Sequence, residues 1–184
     1  MAGKNFQSMN YLFYVLGPQQ TLTACESPNT DYSFEVWEPS IRGVVPEGVP
    51  MMPFGVWWAM HQLHFFKNRD YALLLVKDGS TLIHRSGVFP GYLRFPFMSK
   101  SDLQIGDTWT HPSYRKQGLA RFAICKIVER YRDDNRSFWY LVEDNNVPSI
   151  RVIEKAGFRL AGRGLKDKRF GTKLLGAYKM QTNC

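Results

Sequence analysis

Arg115, Lys116, Gln117 and Gly118 bring two cationic side chains and a glycine to the point where an apolar, helix-periodic run begins. Such a turn suits one kind of chemistry. The first amides of a helix have no acceptor inside it, the positive end of its dipole lies there, and glycine lets a ligand approach the backbone. Together these favour an anion by about 0.3–2 kcal/mol per charge, and the Arg115 or Lys116 side chain adds charge-assisted hydrogen bonds. A diphosphate fits this form; an ordinary helix start is the other reading. The stretch is neither a P-loop, since GxxxxGK[ST] is absent, nor a GxGxxG fingerprint. Side chains able to move a proton lie around it: Asp107, His111 and Tyr114 just upstream, His84 earlier and Glu143 later. Each has a bland reading as well. Asp107 can pair with a basic neighbour, Tyr114 can pack, His111 can face solvent, His84 can be a structural strand histidine, and Glu143 can cap the segment after it.

The elements that must position these residues follow from periodicity. Ala120, Ala123, Ile124, Ile127, Val128 and Tyr131 recur on one face of a helix starting at Gly118. Upstream, "LQIGDTWT", Leu103 to Thr110, alternates as a strand that His111-Pro112 ends, and downstream "SFWYLVE" reads as another strand. "VPSIRVIEKA" is a short helix with Pro148 in its first turn and Gly157 just past its end. Strand, helix, strand, helix, strand over 103–160 implies a parallel crossover and therefore a mixed sheet. Nearer the start, "YLFYVL" and "YSFEVWE" read as strands, "PSIRGVVPEGVPMMP" as a long loop, and "FGVWWAMHQLHFFKNRD" as a helix ending before Asp70. "YALLLVKDGSTLIHRSGV" is a hairpin about Asp78-Gly79. "GYLRFPFMSKSD" reads as an irregular edge, because Pro90 and Pro96 cannot donate to a ladder, and "GFRLAGRG" and "KLLGAYKM" read as closing strands.

The totals narrow the class. A length of 184 residues gives room for one well-buried core, so a single domain spanning 1–184 is expected. The 24 Lys and Arg against 16 Asp and Glu leave +8, with the surplus plain in "FRLAGRGLKDKRFGTK" after Gly157. That field draws phosphorylated ligands, nucleic acid or anionic lipid alike. Zinc-finger spacing, a basic region with heptads and an RNP-type aromatic signature are all missing, so no nucleic-acid partner is expected. No run approaches the roughly 20 apolar residues of a membrane span, and no membrane partner is expected. Cys25, Cys125 and Cys184 are odd in number and widely spread, which indicates neither a disulfide framework nor a zinc site; a reducing, cytoplasmic setting and no metal follow as expectations.

Taken alone, the turn is a weak signal: its pattern would arise in roughly one chain in six of this length, given average glycine usage. Its context is stronger. The sequence resembles the GNAT superfamily of N-acetyltransferases, in which a strand, a turn written Gln/Arg-x-x-Gly-x-Gly/Ala and the following helix hold the pyrophosphate of acetyl-CoA. "HPSYRKQGLA" matches that block, and "NNVPSIRVIEKAGF" matches a second, an Asn followed by a short helix and a Lys-x-Gly-Phe type turn. The two occur in the family's order with "FWYLVE" between them, covering about 103–160.

The resemblance implies an α/β fold with a mixed, twisted, partly splayed sheet flanked by helices. It implies an acceptor side over roughly 1–100, an acetyl-CoA side over roughly 101–184, and transfer of an acetyl group to a primary amine. Residue by residue it puts the backbone of Arg115, Lys116, Gln117, Gly118, Leu119 and Ala120 around the pyrophosphate. Thr110 offers main-chain groups to the pantetheine arm, and Asn146 touches the cofactor or orders the loop beneath it. Asp107 is the first candidate base, with His111, Glu143 and His84 behind it. Two positions depart from the pattern: Ile153 stands where many members have a Tyr that protonates the leaving thiolate, and Gln104 where some have a Glu base. The aromatic residues Trp57, Trp58, Phe65, Phe66, Phe89, Tyr92, Phe95 and Phe97 supply a core or an acceptor pocket. A small-molecule amine such as an amino sugar or nucleotide-linked amino sugar is the expected acceptor. A protein or peptide amine and a catalytically silent acyl-CoA-binding module are the alternatives, and a homodimer is left open.

Overall fold

The computed structural model describes residues 10–25, 28, 31–167 and 176–181. Among these, β1 (Asn10–Leu16), β2 (Ser33–Trp37), β3 (Ala72–Asp78), β4 (Thr81–Pro90), β5 (Leu103–Thr110), β6 (Phe138–Glu143), β7 (Arg159–Lys166) and β8 (Tyr178–Gln181) form one sheet in the order β2-β3-β4-β5-β6-β1-β7-β8. The helices are α1 (Met51–Gln62), α2 (Leu119–Tyr131) and α3 (Val147–Lys155). Neighbouring strands are antiparallel except β5 and β6, which α2 joins in parallel, so the expected mixed α/β sheet is what forms.

Two irregularities decide where a ligand can enter. The ladder between β5 and β6 runs only from Leu103–Phe138 to Ile105–Tyr140, although β5 continues to Thr110 and β6 to Glu143. Past Ile105 the two strands part. The second is a bulge between β4 and β5, where Arg85 faces Trp109 and Gly87 faces Gly106, so Ser86 alone opposes both Asp107 and Thr108. Asp107 carries the extra residue with φ +47, and the strand's facing pattern shifts there by one residue.

The core lies on both faces. On one, α2 buries Leu119, Ala123, Ile124, Ile127 and Val128 against Val76, Val88, Ile105 and Phe138. Each fully buried isoleucine on that helix contributes about 1.5–3 kcal/mol. The other face carries the aromatic cluster: Phe66, Tyr71, Phe89, Tyr92, Phe95 and Met98 are buried, with Trp57 and Phe97 packed against them. Most aromatic residues expected on the acceptor side are therefore core. Phe65 remains 56% exposed, and Trp58 donates through Nε1 to the Ser40 carbonyl at 2.8 Å.

Several expectations are corrected. The helix expected to end before Asp70 does so, but already at Gln62 and short of His64, because His64 takes φ +59 and the Phe65 amide reaches back to the Met60 carbonyl at 2.9 Å, a left-handed stop that needs no glycine here. Residues 91–102 are a turn-rich segment that buries Tyr92, Phe95 and Met98, not a sheet edge. The last strand is Tyr178–Gln181, while 173–175 of the expected "KLLGAYKM" strand and 168–175 of the basic tail lie outside the described residues. Cys25 and Cys125 are bonded through sulfur with their Cα atoms 6.3 Å apart, which overturns the reading of unpaired thiols. The segment before β2 lies along α2, where Arg121 Nη2 donates to the Ala24 carbonyl at 2.8 Å; a separation of 100 residues hides that contact in the sequence. No helix among the described residues is long and apolar enough to cross a membrane.

Asp102 anchors the root of the diverging strands. Its buried carboxylate accepts from the Ser99 amide at 2.8 Å, the Ser137 amide at 3.1 Å and Trp139 Nε1 at 3.0 Å. Asp102→Ala leaves three donors without an acceptor and is expected to cost about 3 kcal/mol. A thermal melt should then fall by roughly 6–12 °C.

Candidate active site

Where β5 and β6 part, a cleft of about 600 Å³ opens between the end of β5, the start of α2 and the start of α3. Its floor carries Thr108, Thr110 and Tyr140, one wall carries Arg115, Lys116 and the residues from Gly118 to Arg121, and the facing wall carries Asn146, Pro148, Ser149 and Val152. The β5–α2 connection is a 3₁₀ turn, Pro112–Tyr114, followed by two left-handed residues, Lys116 at φ +66 and Gly118 at φ +82. Gly118 is the N-cap of α2 and offers no capping side chain, and the first turn of the helix contains no acid. The first amide taken by the helix is that of Phe122, accepted by the Gly118 carbonyl at 3.0 Å, so those of Leu119, Ala120 and Arg121 precede any intrahelical bond. An N-terminus lacking an acidic or capping occupant and flanked by Arg115 and Lys116 suits a diphosphate.

A profile of the Acetyltransferase (GNAT) family matches residues 47–158. The chain belongs to the GNAT acetyltransferase family. No curated protein matches it. Among solved structures, a GNAT-family acetyltransferase described as putative, from Novosphingobium aromaticivorans, aligns with TM-score 0.55 at 17% identity over 86% of this chain and 62% of its own. A GCN5-related N-acetyltransferase from Sphaerobacter thermophilus aligns with TM-score 0.56 at 16% identity over 85% and 50%. A GNAT-family acetyltransferase from Colwellia psychrerythraea gives 0.52 at 16% over 84% and 53%. The chain thus spans half to about three-fifths of the length of these structures, and at such identities the likeness is one of fold.

Within this GNAT fold, most of the residues expected around the cofactor converge. Thr110, Arg115, Lys116, Gly118, Leu119, Ala120 and Asn146 all line the cleft. Gln117 lies outside that lining, and its Oε1 accepts from Tyr32 Oη at 3.0 Å. Asn146 caps α3, its Oδ1 accepting from the Ser149 amide at 3.2 Å, and Arg115 Nε donates to the Thr110 carbonyl at 3.3 Å.

The four proton-transfer candidates are scattered by contrast. Asp107 lies on the α1 side of the sheet, half-exposed, with Oδ2 3.6 Å from Arg85 Nε; Arg85 also stacks over Trp109 and Phe54. Burial pushes the Asp107 carboxyl above its ordinary range, against the opposing pull of Arg85. Glu143, at the far end of β6, acts electrostatically on Tyr11 and Tyr178 and does not line the cleft. His111 caps the 3₁₀ turn with Nδ1, which accepts from the Ser113 amide at 3.3 Å. His84 is fully buried on the α2 side, not facing an acceptor: Nδ1 is 2.8 Å from Thr110 Oγ1 and Nε2 is 3.0 Å from Ser86 Oγ.

Thr108 and Tyr140 were not anticipated. Tyr140 follows strand alternation and reads as core, while Thr108 reaches the cleft only through the bulge.

Burial, seconded by the Arg85 charge, lowers the His84 pKa to about 3 and keeps the ring neutral. An unfolded histidine titrates near 6.5, so between those values the unfolded chain binds the extra proton and stability falls as pH drops. Thermal melts between pH 7 and pH 5 should show this as a loss of up to about 1.4 kcal/mol per pH unit below about pH 6. His84→Asn should flatten that part of the curve.

Proposed function

We propose that this protein is an acetyl-CoA-dependent N-acetyltransferase that moves an acetyl group to the primary amine of a small molecule. One observation carries the reading: two parallel strands part after three residue pairs, and an uncapped helix N-terminus with Arg115 and Lys116 stands at the opening. The amides of Leu119, Ala120 and Arg121 would hold the diphosphate, and the β5 backbone from Thr108 to Thr110 would hold the arm. Bound there, acetyl-CoA supplies an activated acyl group. The chain's own part is to exclude water from the cleft, orient the acyl carbon toward the α1 face, and take the proton that the amine loses; Asp107, with its raised pKa, is the base proposed for that proton.

Calorimetry with acetyl-CoA followed by thiol release over a panel of amino sugars, other small amines and peptides tests this. Binding with turnover on a small amine is the expected result. Turnover on peptides alone would move the acceptor to the protein class. Binding with no release on any amine would leave an acyl-CoA-binding module, which Ile153 in place of the familiar tyrosine also suits.

A further inference from the structure

The connection from β1 to β2 crosses the outside of α2, and its firmest hold there is one covalent bond. None of residues 17–25 is buried, and of these Leu22 alone packs against the core. Polar contacts supplement it: Arg132 Nη2 donates to the Gln20 carbonyl at 3.1 Å, the Thr23 amide to the Ala156 carbonyl at 3.4 Å, and Arg121 Nη2 to the Ala24 carbonyl at 2.8 Å. The bond is that between Cys25, half-buried, and Cys125, which has no exposed surface. The same connection walls a pocket of about 440 Å³, with Ala24, Cys25 and Pro28 on one side and Gln117, Gly118 and Arg121 on the other. Gly118 and Arg121 also line the cleft, so this pocket adjoins the proposed diphosphate seat. Arg121 joins the two: Ala24 holds its Nη2, its Nε is buried without a partner, and its amide is one of the three proposed for the diphosphate.

We infer that Cys25 is a thiol-exchange site whose disulfide with Cys125 sets the affinity of the seat for acetyl-CoA, tighter when closed and weaker when a dithiol reductant opens it. This rests on the proposed acetyl-CoA seat. Cys25 is the sulfur within reach, because it lines this pocket and a second one toward the end of α2, whereas Cys125 lines neither. A thiolate of the reductant attacks Cys25 Sγ, the bond to Cys125 breaks, and the electron pair passes to Cys125, which takes a proton. The reductant's second thiolate then attacks its own first sulfur, and Cys25 leaves as a thiolate and is protonated in turn. The dithiol departs as a disulfide, and its two hydrogens end on Cys25 and Cys125. Arg121 and Cys125 are i and i+4 on one face of α2, so the change is felt at the helix start. With the bond closed, the Ala24 carbonyl fixes the Arg121 guanidinium and walls the volume beside Gly118, so the ligand has fewer groups to order. With the bond open, a stretch that buries almost no apolar surface opens locally, and Arg121 loses its hold.

The test uses the full chain carrying Cys184→Ser, which leaves Cys25 and Cys125 as its only cysteines, and desulfo-CoA, a probe with neither thiol nor thioester to react. Calorimetry on the oxidised protein and on protein opened with dithiothreitol should show affinity about tenfold weaker in the reduced form, the size expected for re-ordering one or two side chains. Reoxidation should restore it. Cys25→Ser combined with Cys125→Ser should bind like the reduced form with or without reductant, and Arg121→Gln should bind with equal strength in both redox states. Alkylation followed by mass measurement should find no modified cysteine before reduction and both modified after it. Affinities within about twofold in the two forms overturn the switch, and so does tighter binding on reduction. Free thiols before reduction overturn it by removing the bond, and a reduced form without a cooperative melt overturns it by making the bond a structural staple. Should desulfo-CoA bind neither form, the acetyl-CoA reading itself fails and the switch with it.

Discussion

Gly118→Val is expected to lose acetyl-CoA binding while the protein still folds. At φ +82 a β-branched residue is a genuine outlier, and the left-handed backbone costs about 1–2 kcal/mol. The space around the position is open: a Cβ built on Gly118 meets no heavy atom within 4 Å. The free protein therefore suffers no clash, and the added side chain stands at the amide-lined mouth, in volume that a diphosphate would need. Affinity should drop by about 100-fold or more, equivalent to about 2.7 kcal/mol. Calorimetry reads this directly, and the thermal stabilisation that a saturating ligand gives the parent should vanish. Gly48→Ala is the control. It sits at φ +79 in the loop before α1 and carries a similar backbone penalty, with a somewhat tight contact to Leu82 Cβ at 3.3 Å. It should lose stability and keep the ligand. If Gly118→Val binds acetyl-CoA as the parent does, the diphosphate lies elsewhere and the helix N-terminus is only a helix start.

What could be read from the amino acids here was what depends on neighbours in the chain. The apolar stripe from Ala120 to Tyr131 forms α2, Asp78-Gly79 turns the hairpin, and Pro148 and Gly157 bracket α3, because propensity, periodicity and φ preference act over a few residues. That most of the residues proposed for the cofactor seat share one cleft wall has the same origin, since Thr110 to Ala120 is one continuous segment. Features that depend on strands distant in sequence were hidden. In a regular strand Asp107 would share a face with Ile105, which packs under α2. One extra residue opposite Ser86 instead sends Asp107 to Arg85 and turns Thr108 and Thr110 toward Ser86 and His84. The acidic candidate and the hydroxyl chain thus stand on opposite faces, a division that no alternation pattern in "LQIGDTWT" contains. The insertion of β1 between β6 and β7, and the approach of Cys25 to Cys125, are non-local in the same sense. His64 was misread for a local reason: a histidine in the left-handed region is uncommon, and helical spacing outvoted it.

That division of faces lets the base be tested apart from the cofactor seat. Asp107→Asn is nearly isosteric and keeps an oxygen for Arg85, but it cannot accept a proton from the amine. With Asp107 as the base, kcat should fall by about 10²–10⁴-fold, while acetyl-CoA affinity stays within about threefold because the amides of α2 lie on the other side of the sheet. The pH profile carries the sharper signature. A base works when ionised, so in the parent kcat/KM should climb with pH as Asp107 loses its proton. Because burial raises that pKa, the inflection should fall above the ordinary aspartate value of about 3.9. The Asn variant should have no such limb. Arg85→Gln gives the opposite check: removing the charge that opposes burial should move the parental inflection to higher pH. A variant at Asp107 whose rate stays within about threefold of the parent, with its acid limb intact, would assign the inflection to another group. Amine deprotonation would then fall to solvent or to Glu143, the remaining carboxylate considered for this role on β6.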